Sequence, residues 1–197
     1  HGQTRYAFLP AAVVAGCVKA VESFPGLHLA LQLKDELHAF NCPLADFAYP
    51  LWGIDPQLSI PLNPNVFNQT VKILIYFENL VDSVTDLPSS LVNLCQTICM
   101  DQANVYLTDQ GKVLQITNNQ TNKFKSIDHL RRQLNLKPEE IVVFGDDWND
   151  LEMLTGFPNG VVMGNADREL RCQILYQTQS NDKDGIAYAL HTLLGLI

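Results

Sequence analysis

A short apolar run that ends in a cluster of acidic residues constrains this chain more than any other feature. Residues 141–144 read Ile-Val-Val-Phe and are followed at once by residues 145–150 (GDDWND). Such a run is typical of a strand buried on both faces of a parallel sheet. Ligands of parallel sheets bind where the carboxyl ends of the strands meet, so we expect Asp146, Asn149 and Asp150 to lie at a functional site.

The acidic loop predicts a bound divalent cation. Its carboxylates repel one another, and a cation between them would relieve that repulsion. Hard oxygen ligands favour Mg²⁺ over Zn²⁺. The alternative interpretation is a helix N-cap, in which Asp or Asn accepts hydrogen bonds from free backbone N–H groups. A cap needs one such residue, whereas this loop contains three Asp and one Asn.

The pattern of helices and strands differs between the two halves of the chain. In the second half, helices alternate with short apolar strands, which predicts a doubly wound α/β unit. The first half predicts an α+β domain, with residues 1–116 forming one domain and residues 117–197 the other. The proline-rich residues 41–64 are interpreted as a long structured connection.

The individual predicted elements follow from apolar periodicity and turn residues. In the first half, helices are predicted at 10–24 and 88–100, strands at 27–33 and 71–77, and a hairpin at 104–107 and 112–116. In the second half, helices are predicted at 126–136, 150–155, 167–172 and 186–194, and strands at 141–144 and 160–164. The side chains expected to face inward are Leu91, Leu94, Cys95 and Ile98 in one helix, and Ile127, Leu130 and Leu134 in another.

Three motifs follow one another in the second half. They are residues 145–154 (GDDWNDLEML), 162–166 (VMGNA) and 180–187 (SNDKDGIA). Their order and spacing resemble the haloacid dehalogenase (HAD) superfamily, and specifically its Cof-type sugar-phosphate phosphatases of subfamily IIB. The resemblance implies a partial HAD Rossmann-like doubly wound core, preceded by an α+β cap domain that selects the substrate.

The resemblance also implies roles for individual residues. Asp146 would ligate Mg²⁺ directly, and Asp150 would hold a metal-bound water or support the metal site from its second shell. Asn149 would orient this cluster or contact phosphate, and Asn165 would line the same rim. Lys123 would stabilise negative charge on the phosphoryl group, as a compact ammonium can.

The assignment of the lysine rests on position. The family places a Lys before the helix that precedes the apolar strand, and both Lys123 and Lys125 lie there. Residues 134–136 (LNL) stand where the family has Leu-Gly-Ile, and this register favours Lys123. Phe124 departs from the family pattern, which usually has Gly at that position.

The expected nucleophile is not found in this sequence. The family uses an Asp in a DxDGT-like loop that forms an aspartyl-phosphate. Here residues 182–185 (DKDG) come after the acidic loop and are interpreted as the family's C-terminal segment. We therefore expect the nucleophile to lie in a missing N-terminal segment of the same protein, and this chain alone to be inactive.

Composition excludes some partners and leaves three functions open. Lys and Arg number 13 against 21 Asp and Glu, and this net charge of -8 disfavours nucleic acid as a partner. The lack of a long apolar stretch or signal peptide, and the dispersed cysteines, predict a cytoplasmic protein without a membrane partner. The prediction is a Mg²⁺-dependent phosphohydrolase acting on small phosphorylated metabolites; the alternatives are a non-catalytic metal- or phosphate-binding module and a phosphomutase.

Overall fold

The computed structural model of the protein describes residues 5–77 and 86–195, apart from the side chain of residue 51. The chain divides into two compact units, His1–Gln120 and Thr121–Ile197. The predicted boundary after residue 116 falls inside the last strand of the first unit, Val113–Asn118. Each unit is described by itself below.

The first unit is built on a six-stranded sheet. Its strands are β1 (Leu27–Leu33), β2 (His38–Phe40), β3 (Ser59–Pro61), β4 (Thr70–Phe77), β5 (Ala103–Thr108) and β6 (Val113–Asn118). They lie in the order β3-β2-β1-β4-β6-β5. Neighbouring strands are antiparallel, except that β2 and β3 are parallel. The helices of this unit are α1 (Ala11–Glu22), α2 (Ala48–Trp52) and α3 (Ser89–Cys99).

Helices α1 and α3 pack on one face of this sheet. Side chains alternate between the two faces of a strand, so Leu29 and Leu31 of β1 point to the same side as Ile73 and Ile75 of β4. All of them are buried in one apolar cluster with α1 and α3. A separate cluster, which includes Phe40, lies on the opposite face.

Two expectations for the first unit were wrong. Residues 41–64 contain helix α2 and strand β3, not only a connection. Strand β3 lies at the edge of the sheet, where proline is tolerated because one side of the strand has no ladder to complete. Leu94 was expected to face inward but is 40% exposed, and Cys99 is buried instead.

The second unit has a three-stranded parallel sheet, of which the apolar runs predicted the first two strands but not the third. Its strands are β7 (Val142–Gly145), β8 (Asn159–Val162) and β9 (Tyr176–Gln177), in that order. Its helices are α4 (Lys123–Gln133), α5 (Leu151–Gly156), α6 (Arg168–Arg171) and α7 (Gly185–Tyr188), and a wider helical turn, Ala189–Leu193, continues α7.

Helix α4 differs from its prediction in start and in exposure. It begins at Lys123, three residues before the predicted start, because the Asn122 side chain caps it by accepting a 2.8 Å hydrogen bond from the Lys125 N–H. Leu130 and Leu134, which were expected to face inward, are 52% and 59% exposed. Ile127, at the start of the same apolar stripe, does pack against the core of the second unit. The part of the stripe formed by Leu130 and Leu134 is not buried by the residues that the structure describes.

Within the part of the chain that the structure describes, no helix is both long enough and apolar enough to span a bilayer.

Candidate functional site

The candidate site lies where strands β7 and β8 end. The two strands are parallel and paired in register, so their carboxyl ends meet at one edge of the sheet. Asp146 directly follows β7, and Asn165 follows β8 by three residues. The Asn165 side-chain amide donates a 2.8 Å hydrogen bond to Oδ2 of Asp146. The structure therefore joins two residues that the sequence placed in separate motifs.

Asn165 also reaches the third sequence motif. Its side-chain oxygen accepts a 3.1 Å hydrogen bond from the backbone N–H of Asn181. Asn181 begins a short 3₁₀ turn, Asn181–Lys183, after strand β9. Because one carboxamide donates to Asp146 and accepts from Asn181, it holds the loops after β7 and β9 in a fixed relation. Sequence reasoning placed Asn165 on the rim but missed this bridging role.

Asp150 anchors the acidic loop from within. It is only 2% exposed, and its Oδ2 accepts hydrogen bonds from the backbone N–H groups of Asp146 and Asp147 at 3.2 and 3.3 Å. A single 3₁₀ turn, Trp148–Asp150, brings this carboxylate back under the start of the loop. Asp150 therefore determines the path of the backbone at Asp146.

Gly145 makes this anchoring possible. A Cβ atom at Gly145 would lie 2.5 Å from Cβ and 2.7 Å from Cγ of Asp150. Any side chain at position 145 would push the Asp150 carboxylate away from the backbone N–H groups that it accepts from. The glycine of the GD motif is therefore required for close approach rather than for a special backbone angle.

Lys123 meets this cluster from the first residue of α4. Its ammonium donates to Oδ1 of Asp150 at 2.5 Å and to the side-chain oxygen of Asn149 at 3.3 Å. The Lys123 side chain is 50% exposed, whereas that of Asp150 is 3% exposed. The ammonium thus lies between a buried carboxylate and solvent. This contact favours Lys123 over the alternative, Lys125.

Phe124, the departure from the family pattern, has a packing role. Its ring lies 5.2 Å from the ring of Phe157, between ring centroids. Gly156, at the end of α5, is directly beside it, and a Cβ at Gly156 would collide with the Phe124 ring. Helices α4 and α5 therefore pack through a Phe against a Gly, which fixes the position of the neighbouring Lys123.

Of the two carboxylates of Asp146 and Asp150, that of Asp146 is better suited to bind a metal ion directly. Asp146 is exposed, and its Oδ1 has no recorded hydrogen-bond partner within the described ranges. Both oxygens of Asp150 already accept hydrogen bonds. Among the residues described, no three His, Cys, Asp or Glu side chains are grouped so that they could hold a metal ion. The donor set fits Mg²⁺ with one direct carboxylate here, since Mg²⁺ usually keeps several waters.

Asp147 and Asp182 also lie in these loops. Asp147, to which the sequence assigned no role, accepts a 2.7 Å hydrogen bond from the Trp148 N–H and caps the turn that follows. Asp182 donates its backbone N–H to the side chain of Asn181 and is exposed.

Comparison with known proteins identifies the family. The family model described as haloacid dehalogenase-like hydrolase matches residues 61–190. The chain therefore belongs to the haloacid dehalogenase-like hydrolase family. The match includes the acidic loop and the two motifs that follow it, which agrees with the resemblance that these motifs carry.

Individual relatives cover different parts of the chain. The Bacillus subtilis protein YxeH, provisionally named a phosphatase, is 29% identical over 174 residues, which are 84% of this chain and 63% of YxeH. The chain thus spans less than two thirds of that relative. The Arabidopsis thaliana chloroplastic endoribonuclease YBEY is 34% identical over 157 residues, which are 79% of this chain and 26% of that protein. Because the match covers only about a quarter of YBEY, its endoribonuclease activity is not assigned to this chain.

The fold has solved counterparts. The subclass IIB sugar phosphatase BT4131 superposes with a TM-score of 0.77 and 18% identity, covering 97% of this chain and 69% of that one. At this identity the likeness shows the fold alone, and it confirms the predicted α/β fold of the HAD type.

Proposed function

We propose that the protein is a Mg²⁺-dependent phosphatase of small phosphorylated metabolites such as sugar phosphates, acting through an aspartyl-phosphate. The observation that carries the proposal is the arrangement of Lys123, Asp150 and Asp146 at the carboxyl end of β7. Membership of the hydrolase family supports it. The nucleophilic Asp would come from a segment outside these residues, because no Asp-x-Asp pair here follows an apolar strand.

Each residue has a distinct task in this proposal. Asp146 ligates Mg²⁺ through its exposed carboxylate, and Asn165 holds that carboxylate by its 2.8 Å hydrogen bond. Asp150 would support the metal site indirectly, because both of its carboxylate oxygens already accept hydrogen bonds, from the loop backbone and from Lys123. A bound Mg²⁺ would neutralise negative charge on the phosphoryl group.

Lys123 would provide the second positive charge. Its ammonium has three donor protons, of which the contacts to Asp150 and Asn149 use two. The side chain is half exposed, so the remaining donor is available to a phosphoryl oxygen. A fixed donor aimed at developing charge lowers the barrier because it needs no reorganisation during the reaction. Asn149 holds the ammonium in this position.

The first compact unit would act as the cap that selects the leaving group, as the resemblance implies. It is a separate unit with its own sheet and its own apolar clusters. Its size and position before the core residues agree with that role.

Turnover by the protein as its gene encodes it tests the proposal. We expect hydrolysis of p-nitrophenyl phosphate with Mg²⁺ and none after its removal by EDTA. Asp146→Asn should lower kcat by at least about 100-fold, as loss of a metal ligand does. Glu139→Gln is the matched control, because Glu139 is an exposed carboxylate before the amino end of the same strand.

Three outcomes separate the proposal from its alternatives. Transfer of the phosphoryl group to another position of the sugar, without release of phosphate, would identify a phosphomutase. Saturable binding of Mg²⁺ and phosphate without turnover would identify a binding module. Turnover that is independent of Mg²⁺ and unaffected by Asp146→Asn would overturn the assignment of the site.

A further inference from the structure

Three buried cysteines meet between helices α1 and α3 of the first unit. Cys17 lies in α1, and Cys95 and Cys99 lie in α3. All three side chains are 0% exposed and belong to one apolar cluster. All three are free thiols. The packing of two helices therefore brings together cysteines that are dispersed along the sequence.

A glycine lets the two helices approach closely beside these thiols. A Cβ atom at Gly16, the residue before Cys17, would lie 2.7 Å from Cγ2 of Ile98, the residue before Cys99. The helices reach this separation because Gly16 has no side chain. A disulfide between two helices needs such an approach, since the Cα atoms that it joins are usually within about 7 Å of each other.

The three thiols interact directly. Cys17 shares side-chain hydrogen bonds with Cys95 and with Cys99, and these bonds together with burial raise the pKa of the Cys17 thiol. Cys17 therefore keeps its proton and donates it. Its hydrogen bond lowers the pKa of the Cys99 thiol, against the opposing effect of burial. Cys99 thus ionises more readily than Cys17, and the thiolate is the form of cysteine that attacks an oxidant.

Cys99 also occupies the more accessible position in its helix. Helix α3 ends at Cys99, and the next residue, Met100, is 75% exposed. The last turn of a helix has carbonyl groups without helical partners and opens more easily than the interior. A small oxidant can reach Cys99 through such an opening, whereas Cys95 lies one turn further inside α3.

We propose that Cys17 and Cys99 form a redox-sensitive pair, which a small peroxide oxidises to a disulfide that joins α1 to α3. Both residues lie in the first unit, so this modification requires neither Mg²⁺ nor phosphatase activity. Cys95 is the competing partner for Cys17, because it lies one helical turn from Cys99 on the same face of α3.

The oxidation proceeds in two balanced steps. The Cys99 thiolate attacks one oxygen of the peroxide, whose O–O bond breaks, and this gives a sulfenic acid and a hydroxide that takes up the proton lost by Cys99. The sulfur of Cys17 then attacks the sulfur of Cys99. The S–S bond forms as the S–O bond breaks, and the hydroxyl group leaves as water with the proton of Cys17. Two thiols are oxidised and one peroxide is reduced.

Peptide mapping of the protein as its gene encodes it tests the proposal. The reduced, folded protein is treated with hydrogen peroxide in EDTA, alkylated and digested with trypsin. We expect a disulfide-linked pair of peptides, one with Cys17 and the other with Cys95 and Cys99, that dithiothreitol separates. Trypsin leaves Cys95 and Cys99 in one peptide, because no Lys or Arg lies between Lys72 and Lys112.

Substitutions identify the cysteines that are joined. Cys17→Ala and Cys99→Ala should each lower the yield of the cross-link at least about tenfold, whereas Cys95→Ala should retain it. Alanine suits these positions because a buried cysteine behaves as a small apolar residue. Cys172→Ala is the matched control and should leave the yield unchanged, since Cys172 is an exposed thiol in the other unit. If a core variant does not fold, the peptide map of the parent protein still decides whether the cross-link forms.

The cross-link should also stabilise the first unit. It closes a loop of about 80 residues, and restriction of the unfolded chain should raise the midpoint of thermal unfolding by about 5 °C or more. Trp52 fluorescence in a Trp148→Phe background measures this midpoint before and after oxidation. A lower midpoint after oxidation would show that the two thiols are not held at bridging distance and would overturn the proposal.

Two further results would overturn it. One is full alkylation of Cys17 and Cys99 after peroxide treatment, or a cross-link that forms only in urea. The other is a cross-link that persists in Cys99→Ala and is lost in Cys95→Ala, which would assign the bridge to Cys95.

Discussion

The Lys123 ammonium lies 2.5 Å from Oδ1 of Asp150, although the two residues belong to different elements and are 27 positions apart. Asp150 uses its other oxygen to accept from the backbone at Asp146 and Asp147. A single buried carboxylate therefore links the positive group of the site to the loop that presents the exposed carboxylate. Substitution of Asp150 should therefore affect the position of the Lys123 ammonium and the conformation of the loop at Asp146.

Asp150→Ala should destabilise the second unit. The change leaves two backbone N–H groups and the Lys123 ammonium without their acceptor, which should lower the free energy of unfolding by about 2–3 kcal/mol. Urea unfolding followed by Trp148 fluorescence, in a Trp52→Phe background, measures this unit specifically. The same experiment with Glu139→Gln should show a change below about 0.5 kcal/mol, as exposed positions usually do. Equal stabilities of the two variants would contradict the anchoring role of Asp150.

Asn165→Ala should weaken Mg²⁺ binding without removing a ligand. Asn165 orients Asp146 through a 2.8 Å hydrogen bond, and loss of such a supporting partner typically lowers metal affinity by about 10–100-fold. The Mg²⁺ concentration that gives half-maximal turnover by the protein as its gene encodes it measures the effect. Asn159→Ala is the control, because the Asn159 side chain donates to Glu139 before the amino end of β7. An unchanged Mg²⁺ requirement in Asn165→Ala would show that Asn165 does not position Asp146.

Gly156→Ala should destabilise the second unit, although Ala is the better helix former. The new Cβ would collide with the Phe124 ring, and overpacking of this kind costs about 1–3 kcal/mol. In a Phe124→Ala background the same substitution should be neutral or stabilising. Unfolding of all four proteins by urea, followed through Trp148, completes the double-mutant cycle. Additive effects would show that the two residues do not contact each other.

Acid should destabilise the first unit through His38. Burial lowers the pKa of His38 in the folded state, and Lys72 lowers it further, while Glu36 opposes the shift. The unfolded chain then binds the proton more readily, so stability is retained above the ordinary histidine pKa of 6.5 and is lost as the pH falls below it. Unfolding at pH 8 and pH 5.5, followed by Trp52 in a Trp148→Phe background, measures the loss.

His38→Gln should remove part of this pH dependence. Its stability should fall less between the two pH values than that of the parent protein. His129→Gln is the control, since His129 is exposed on α4 in the other unit. A pH dependence that is identical in His38→Gln and the parent would show that His38 does not contribute.

Much of the fold was predictable because local hydrophobic patterns in the sequence determine where most of its strands lie. The run at 141–144 predicted strand β7, and the alternation at 27–33 predicted strand β1. Strand β3 was missed because its proline, Pro61, is unfavourable inside a sheet and acceptable only at an edge, and edge position is a property of the whole sheet. Leu130 and Leu134 show the same limit, since periodicity identifies an apolar stripe but not what covers it.

The chemistry at the end of β7 was determined by the sequence itself. The residue types in 145–150 and their position after an apolar run place oxygen donors in one loop, and the proposal of a bound cation follows from them because such ligand preferences are local and chemical. Only the tertiary structure decided which carboxylate is exposed, which lysine reaches the loop, and that Asn165 holds Asp146. These are contacts between residues far apart in the chain, and their distances depend on how helices and strands pack rather than on neighbouring residues.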